Sequence, residues 1–190
     1  KTSYRLPPLL VHEANRFAQQ FLPAVALPTV TMEAADVGKQ AGQRATLTWH
    51  NVTAFDQVCA LALTVVQKLL SEGIKPADIV ILTPNQHEGW AIVRYLVRHE
   101  LAVNHVLTED DNQSGRKRER YRKRSFAEGD VRLKLSTIHS FKGWELNHVI
   151  LLTPEDDLFW EAQSPYLFYV AMTRTRQSLV VLNRHPAYRT

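Results

Sequence analysis

Ser136-Thr137-Ile138-His139-Ser140-Phe141-Lys142-Gly143-Trp144-Glu145 is the stretch on which the fold turns, with Tyr169-Val170-Ala171-Met172-Thr173-Arg174 as its companion further along the chain. The first follows the β-prone run Val131 to Leu135, and the apolar run Val149 to Leu152 lies between the two. Polar, charged and glycine residues placed just after an apolar run are the pattern of an open α/β sheet, which gathers its ligand-binding loops at strand ends. The chain is therefore expected to be α/β, with both stretches on the rim of one sheet.

Outward from that centre, helical and extended patterns alternate. Pro7 and Pro8 precede Leu10, Ala14, Phe17, Ala18 and Phe21, one face of a helix opened by proline and ending near Pro23. Residues 23–43 turn irregular, with Pro28, Gly38 and Gly42, and read as a loop. Thr46 to Trp49 alternates as a strand, Phe55 to Leu70 is helical, Gly73 stops that helix, and Asp78 to Leu82 is a short buried strand. A helix over about Glu88 to Leu101 leads to an apolar run at Val103 to Leu107. Further strands are expected at Val131 to Leu135, Val149 to Leu152 and Leu179 to Leu182, with a helix around Tyr166 to Arg176. Strands alternating with helices predict a mainly parallel sheet covered on both faces.

The 190 residues suffice for one domain, and a domain of that length buries roughly 70% of its unfolded surface without disulfide or metal staples. The single cysteine, Cys59, lies inside the apolar run Phe55 to Leu70 and is expected to be buried and inert. No run of about eighteen apolar residues and no signal-peptide pattern occurs, which predicts a cytoplasmic chain without membrane contact. The chain opens without Met, inside a motif described below, and reads as a piece of a longer protein.

Charge is unevenly distributed. Between Arg116 and Lys134 there are nine Lys or Arg against three acids, a local +6, so the rest of the chain carries −2 within a total of +4. The run from Arg116 to Arg124, which includes Arg120, Arg122, Lys123 and Arg124, would neutralise several phosphates and give salt-sensitive nucleic-acid affinity. A solvated helix or linker explains the same composition equally well.

No Gly-x-x-x-x-Gly-Lys-Ser/Thr loop exists; Gly38-Lys39-Gln40 lacks both the spacing and the hydroxyl. Without that loop nothing cradles the β and γ phosphates, and this chain alone is not expected to hydrolyse ATP. The clusters Glu109-Asp110-Asp111 and Glu155-Asp156-Asp157 read as acidic loops, and the eight histidines lack metal-ligand spacing. No metal site is expected.

Three motifs fall in order along the chain. Thr137-x-His139-Ser140-x-Lys142-Gly143-x-Glu145 resembles motif V of the UvrD/Rep/PcrA-like superfamily 1 DNA helicases, within residues 136–146. Tyr169-Val170-Ala171-x-Thr173-Arg174 resembles motif VI, within 166–176, and Ser3-Tyr4-Arg5 with Ala14-Asn15 resembles motif IV, over 3–15. The resemblance implies that residues 1–190 form the C-terminal, second RecA-like (P-loop NTPase-like) motor domain. Such a domain is a three-layer α/β/α fold lacking its own phosphate loop. Its partners would be the N-terminal RecA-like domain of the same polypeptide and single-stranded or partly duplex DNA. ATP and Mg²⁺ would be held mainly by the N-terminal domain.

The same resemblance assigns roles. Arg5 and Arg174 become the catalytic arginine fingers, which stabilise charge spreading over the γ-phosphoryl oxygens. Tyr4 would stack on adenine, Glu145 would accept hydrogen bonds from the ribose hydroxyls, and Gly143 would let the backbone come close. Thr137 and His139 match positions that face the nucleic acid, Lys142 would contact phosphate or a carboxylate, and Thr83 and Asn85 would add a phosphate contact. Ion-paired surface arginines, a solvated glutamate, and a plain helix cap at Thr83 to Asn85 are the structural alternatives. Trp144 stands where the family has Leu and is expected to pack.

Two departures limit the resemblance. Residues 108–130 form a short basic insert where many relatives carry a large accessory domain, and Pro165-Tyr166 replaces an arginine pair that often precedes motif VI. The reading is an ATP-dependent DNA helicase or translocase as part of the full-length protein, supplying fingers and strand contacts. The alternative is a catalytically inactive helicase-like module for nucleic-acid binding or scaffolding.

Overall fold

The computed structural model describes residues 7–22, 45–108, 126, 130–141, 144–155 and 164–189. Six strands make one sheet: β1 (Thr46–Asn51), β2 (Ile79–Thr83), β3 (Val103–His105), β4 (Leu133–Thr137), β5 (Leu146–Leu152) and β6 (Thr175–Asn183). Their order is β1-β6-β5-β2-β4-β3 and every pairing is parallel. β2 and β4 are buried at all five positions, which is why they read as continuous runs such as Ile79-Val80-Ile81-Leu82 instead of alternating.

Successive strand residues point to opposite faces, and each face has its own helices. On one, Val58, Ala62 and Val66 of α2 (Phe55–Ser71) and Ile92 and Leu96 of α3 (Gln86–Arg98) pack with Ile79, Ile81, Leu135, Ile150 and Leu182. On the other, Leu10 and Phe17 of α1 (Pro8–Phe21) and Phe168 and Met172 of α4 (Ser164–Met172) pack with Val80, Leu82, Val149 and Val181. The result is the expected three-layer α/β/α, RecA-like arrangement. No helix among the described residues is long and apolar enough to cross a membrane.

Helix ends follow local chemistry. Gly73, at φ +84°, closes α2 with its N–H donating to the Leu70 carbonyl and the Ile74 N–H donating to that of Leu69. That pair of bonds is the Schellman closure, whose left-handed residue glycine accepts without strain. Cys59 is 5% exposed on α2, and burial pushes its thiol up to about 11, aided by Asp56.

The structure moves two boundaries. The helix expected to reach Arg176 ends at Met172. The Thr173 hydroxyl donates to the Val170 carbonyl, and the Leu146 N–H donates to the Arg174 carbonyl, so the chain has left the helix and enters β6 at Thr175. Pairing with β5, where Leu146 faces Thr175, outweighs helical pattern there. Second, β5, joined to β4 by residues 138–145, begins at Leu146, ahead of the expected Val149. Ile138 and Phe141 of the connection are buried on the α1/α4 face, where Trp144 packs edge-on to Phe126 at 5.1 Å between centroids.

Candidate functional site

The candidate residues separate onto opposite edges of the sheet. At the carboxyl edge the last residues of β2 and β4, Thr83 and Thr137, are paired neighbours. The turn that follows β4 is tied down by the Ile138 N–H donating to the Thr83 carbonyl at 2.9 Å and the Ser140 N–H donating to Thr137 Oγ1 at 3.2 Å. Those bonds bury Thr137 and Ile138 and lift His139 into solvent.

Beside this turn, Asn85 caps α3. Its Oδ1 accepts the Glu88 N–H at 2.9 Å and its Nδ2 donates to Glu88 Oε1 at 3.3 Å, a reciprocal cap. Thr83 has no exposed surface; its hydroxyl donates to the Asn85 carbonyl at 3.0 Å and lies 3.1 Å from where a Cβ on Gly89 would stand. Thr83 holds the strand-to-helix turn from inside, because β2 is a central buried strand of the sheet. Asn85 has the geometry of a helix cap, the structural alternative to a phosphate contact there.

Motif VI does not share that rim. Because α4 returns the chain to the start of a parallel strand, Arg174 and the motif V glutamate, Glu145, meet at the amino edge. The Leu146 N–H donating to the Arg174 carbonyl at 3.1 Å joins the two segments. β5 alone separates the edges by roughly 20 Å at the usual rise per residue. Motif V bridges them, with Thr137 and His139 at one end and Glu145 at the other.

At the amino edge the two arginines of motif VI behave differently. Arg176 donates to Glu145 Oε2 through Nη2 at 2.9 Å and Nε at 3.2 Å. Arg174 has no ion pair among the described residues, and its Nε is buried without a hydrogen-bond partner. An unsatisfied buried donor costs about 1 to 3 kcal/mol, a cost that falls on Nε of Arg174. Glu145, expected as a ribose acceptor, is already engaged by a cation, a contact the sequence reading missed.

A second polar layer stabilises the carboxyl edge. The Arg184 side chain, 4% exposed, pairs with Glu88 Oε1 at 2.6 Å and Glu155 Oε2 at 3.1 Å and lies over the Phe55 ring. Thr153 and Asn183 join it: Arg184 N–H donates to Thr153 Oγ1, which donates to Asn183 Oδ1. Glu155 of the acidic loop thus serves an internal ion pair. Sequence proximity gave no signal for either, since Glu88 and Arg184 lie in elements joined only by the sheet.

Two cations at the end of the basic patch have local partners. Lys134 is 7% exposed and donates to the Ala77 carbonyl, and burial depresses its pKa. Arg132 is bound to Asp130, whose carboxyl its hydrogen bonds hold down at about 2. Lys134 is thus an internal cation, while Arg132 stays exposed and ion-paired. Arg120, Arg122, Lys123, Arg124, Tyr4, Arg5, Lys142 and Gly143 lie outside the described residues, as do residues 23–44.

Residues 133–182 match the family model described as UvrD-like helicase C-terminal domain, a span from the first residue of β4 almost to the end of β6. The resemblance read from motifs V and VI is thus found over those strands. The fold is similar to the crystal structure of the C-terminal domain of a possible DNA helicase from Lactobacillus plantarum WCFS1. Identity is 16% and the TM-score 0.54, over 97% of this chain and 91% of that one. A DEAD box protein from the hyperthermophile Methanococcus jannaschii is similar over 91% of this chain and 43% of that one, at 16% identity and a TM-score of 0.48. None of the curated proteins matches.

Proposed function

We propose, from that helicase C-terminal pattern, that residues 1–190 are the second motor domain of an ATP-dependent DNA helicase or translocase. The ATP site would be shared with an N-terminal RecA-like domain elsewhere in the full-length protein. The observation that carries this reading is the separation of the two candidate sets. Arg174 and Glu145 stand together at the amino edge, His139 and Asn85 together at the carboxyl edge, on one rigid sheet.

At the amino edge, Arg174 would approach the γ-phosphoryl group when the two domains close. A guanidinium free of local carboxylates supplies charge where charge develops, an effect worth about 10³ to 10⁵ in rate in the best cases. Arg5 would act as the second finger and Tyr4 would stack on the adenine. Glu145 would accept from the ribose hydroxyls, with Gly143 allowing close approach. At the carboxyl edge, exposed His139, backbone donors of its turn, the α3 start and Lys142 would track phosphates of a single strand, and the run Arg120 to Arg124 would add salt-sensitive affinity. Among the described residues no group of three or more His, Cys, Asp or Glu could hold a metal ion. Mg²⁺ would be held mainly by the N-terminal domain.

The test is DNA-stimulated ATP hydrolysis by the full-length protein. Arg174→Ala is expected to lower turnover by at least two orders of magnitude while ATP still binds; undiminished turnover would refute the finger. A wild type without turnover would leave the helicase-derived binding module as the reading.

A further inference from the structure

We infer that Phe126 is a positioning residue for motif V, through which nucleic acid held by the basic run stimulates ATP turnover, a regulation that rests on the motor reading above. Phe126 is the first apolar residue after that run. It follows Arg124 by two residues, so the covalent chain alone keeps their Cα atoms within about 7 Å. Its ring is nevertheless buried among the apolar residues of the α1/α4 face. What receives it there is motif V. The ring stands edge-on to Trp144 at 5.1 Å between centroids and 69° between planes, and to Phe141 at 6.4 Å and 73°. Edge-to-face pairs at such separations fix orientation in addition to burying area.

Two departures from the family pattern meet in this contact. Trp144 stands where the family has leucine, and the short basic insert stands where many relatives carry an accessory domain. The structure puts the one against the aromatic residue that ends the other. The insert is tied at its opposite end as well, beside the Asn85 cap. The Thr108 N–H donates to Gln86 Oε1 at 2.9 Å, Gln86 Nε2 donates to Thr108 Oγ1 at 3.2 Å, and Trp90 Nε1 donates to the Thr108 carbonyl at 3.4 Å. Among the described residues, Phe126 is therefore the part of the insert that bears on motif V.

From the two rings the connection runs both ways along motif V. The Phe141 N–H donates to the Thr137 carbonyl, next to the His139 turn, and the Trp144 N–H donates to the Phe141 carbonyl, each at 3.1 Å. Two residues beyond Trp144, the Leu146 N–H donates to the Arg174 carbonyl. A strand that shifts the end of the basic run thus acts on Phe126, and packed rings and backbone bonds join Phe126 to both edges without a gap.

The experiment measures ATP hydrolysis by the full-length protein with and without a single-stranded oligonucleotide of mixed sequence, and the affinity for that oligonucleotide beside it. The proteins are wild type, Phe126→Ala, Phe126→Leu, Trp144→Ala, the Phe126→Ala/Trp144→Ala double variant and Arg174→Ala. Phe126→Ala is expected to cut the stimulation by the strand about tenfold, the scale of an ordinary coupling between two sites. Its turnover without the strand and its strand affinity should match wild type. Trp144→Ala should lose as much stimulation, and the double variant no more than either single one. Phe126→Leu keeps an apolar side chain without the aromatic edge and should lose an intermediate amount; it carries the comparison should Phe126→Ala not fold. Stimulation retained in both Phe126 variants, while Arg174→Ala abolishes turnover, would overturn the role of Phe126 and leave the motor reading standing. Equal losses with and without the strand would reduce Phe126 to a structural ring and overturn it too. A wild type without turnover, or one indifferent to the strand, would overturn the motor reading and this coupling with it.

Discussion

Glu88→Ala tests the joint that fixes the carboxyl edge. The substitution removes the 2.6 Å partner of Arg184, a side chain only 4% exposed, and leaves it with Glu155, which is 71% exposed. It also removes the acceptor that Asn85 Nδ2 uses at the α3 cap. Breaking a buried pair from one side costs about 3 to 5 kcal/mol, and the surviving Glu155 contact argues for the lower figure. At a urea slope of about 2 kcal/mol/M, a loss of about 3 kcal/mol moves the unfolding midpoint down by about 1.5 M. Glu155→Ala removes an exposed partner and should cost under about 1 kcal/mol, a shift below about 0.5 M. The assay is urea unfolding of the 190-residue chain followed by circular dichroism. Replacing both members, Glu88→Leu with Arg184→Met, should recover most of the loss, because no uncompensated charge stays buried. Equal shifts for Glu88→Ala and Glu155→Ala, or no recovery in the double variant, would refute the reasoning.

Two further outcomes are expected. His148 is 8% exposed with Nδ1 2.7 Å from Ser178 Oγ, and burial lowers its pKa against the opposing pull of Asp78 and Glu72. Its folded pKa lies below the unfolded value near 6.5, so its contribution is complete above about pH 6.5 and is lost as pH falls further. His148→Asn should therefore flatten the decline of the urea midpoint between pH 7.5 and 5.5; an unaltered decline would exclude it as the source. For the basic run, neutralising Arg120, Arg122, Lys123 and Arg124 together should weaken single-strand binding regardless of sequence. The slope of log affinity against log salt should shrink by up to about 3, and a slope unaffected by the substitutions would remove these residues from the interface.

Much of the architecture was legible because burial writes itself into short sequence windows. Ile79 to Leu82 and Val149 to Leu152 are apolar without interruption since both faces are covered, and Gly73 marks the one described glycine at positive φ. The end of α4 was not legible. Phe168, Ala171 and Met172 continue a helical pattern that Thr173 and Arg174 do not visibly break, and only strand pairing with β5 decides the stop. Trp144 read correctly as a packing residue, whereas the burial of Thr83 and Lys134 was not legible because each is polar by type and internal by position.

The amino-acid sequence by itself determined the alternation of strand and helix, the parallel sheet, and the identity of motifs V and VI, since these depend on periodicity and on residues near one another in the chain. Only the tertiary structure decided that the two motifs meet at the amino edge while Thr137 and Asn85 face the carboxyl edge. It alone paired Arg176 with Glu145 and Arg184 with Glu88, across 31 and 96 residues of chain. Such contacts are set by which strands lie side by side, and strand order is a property of the closed sheet that no local window contains.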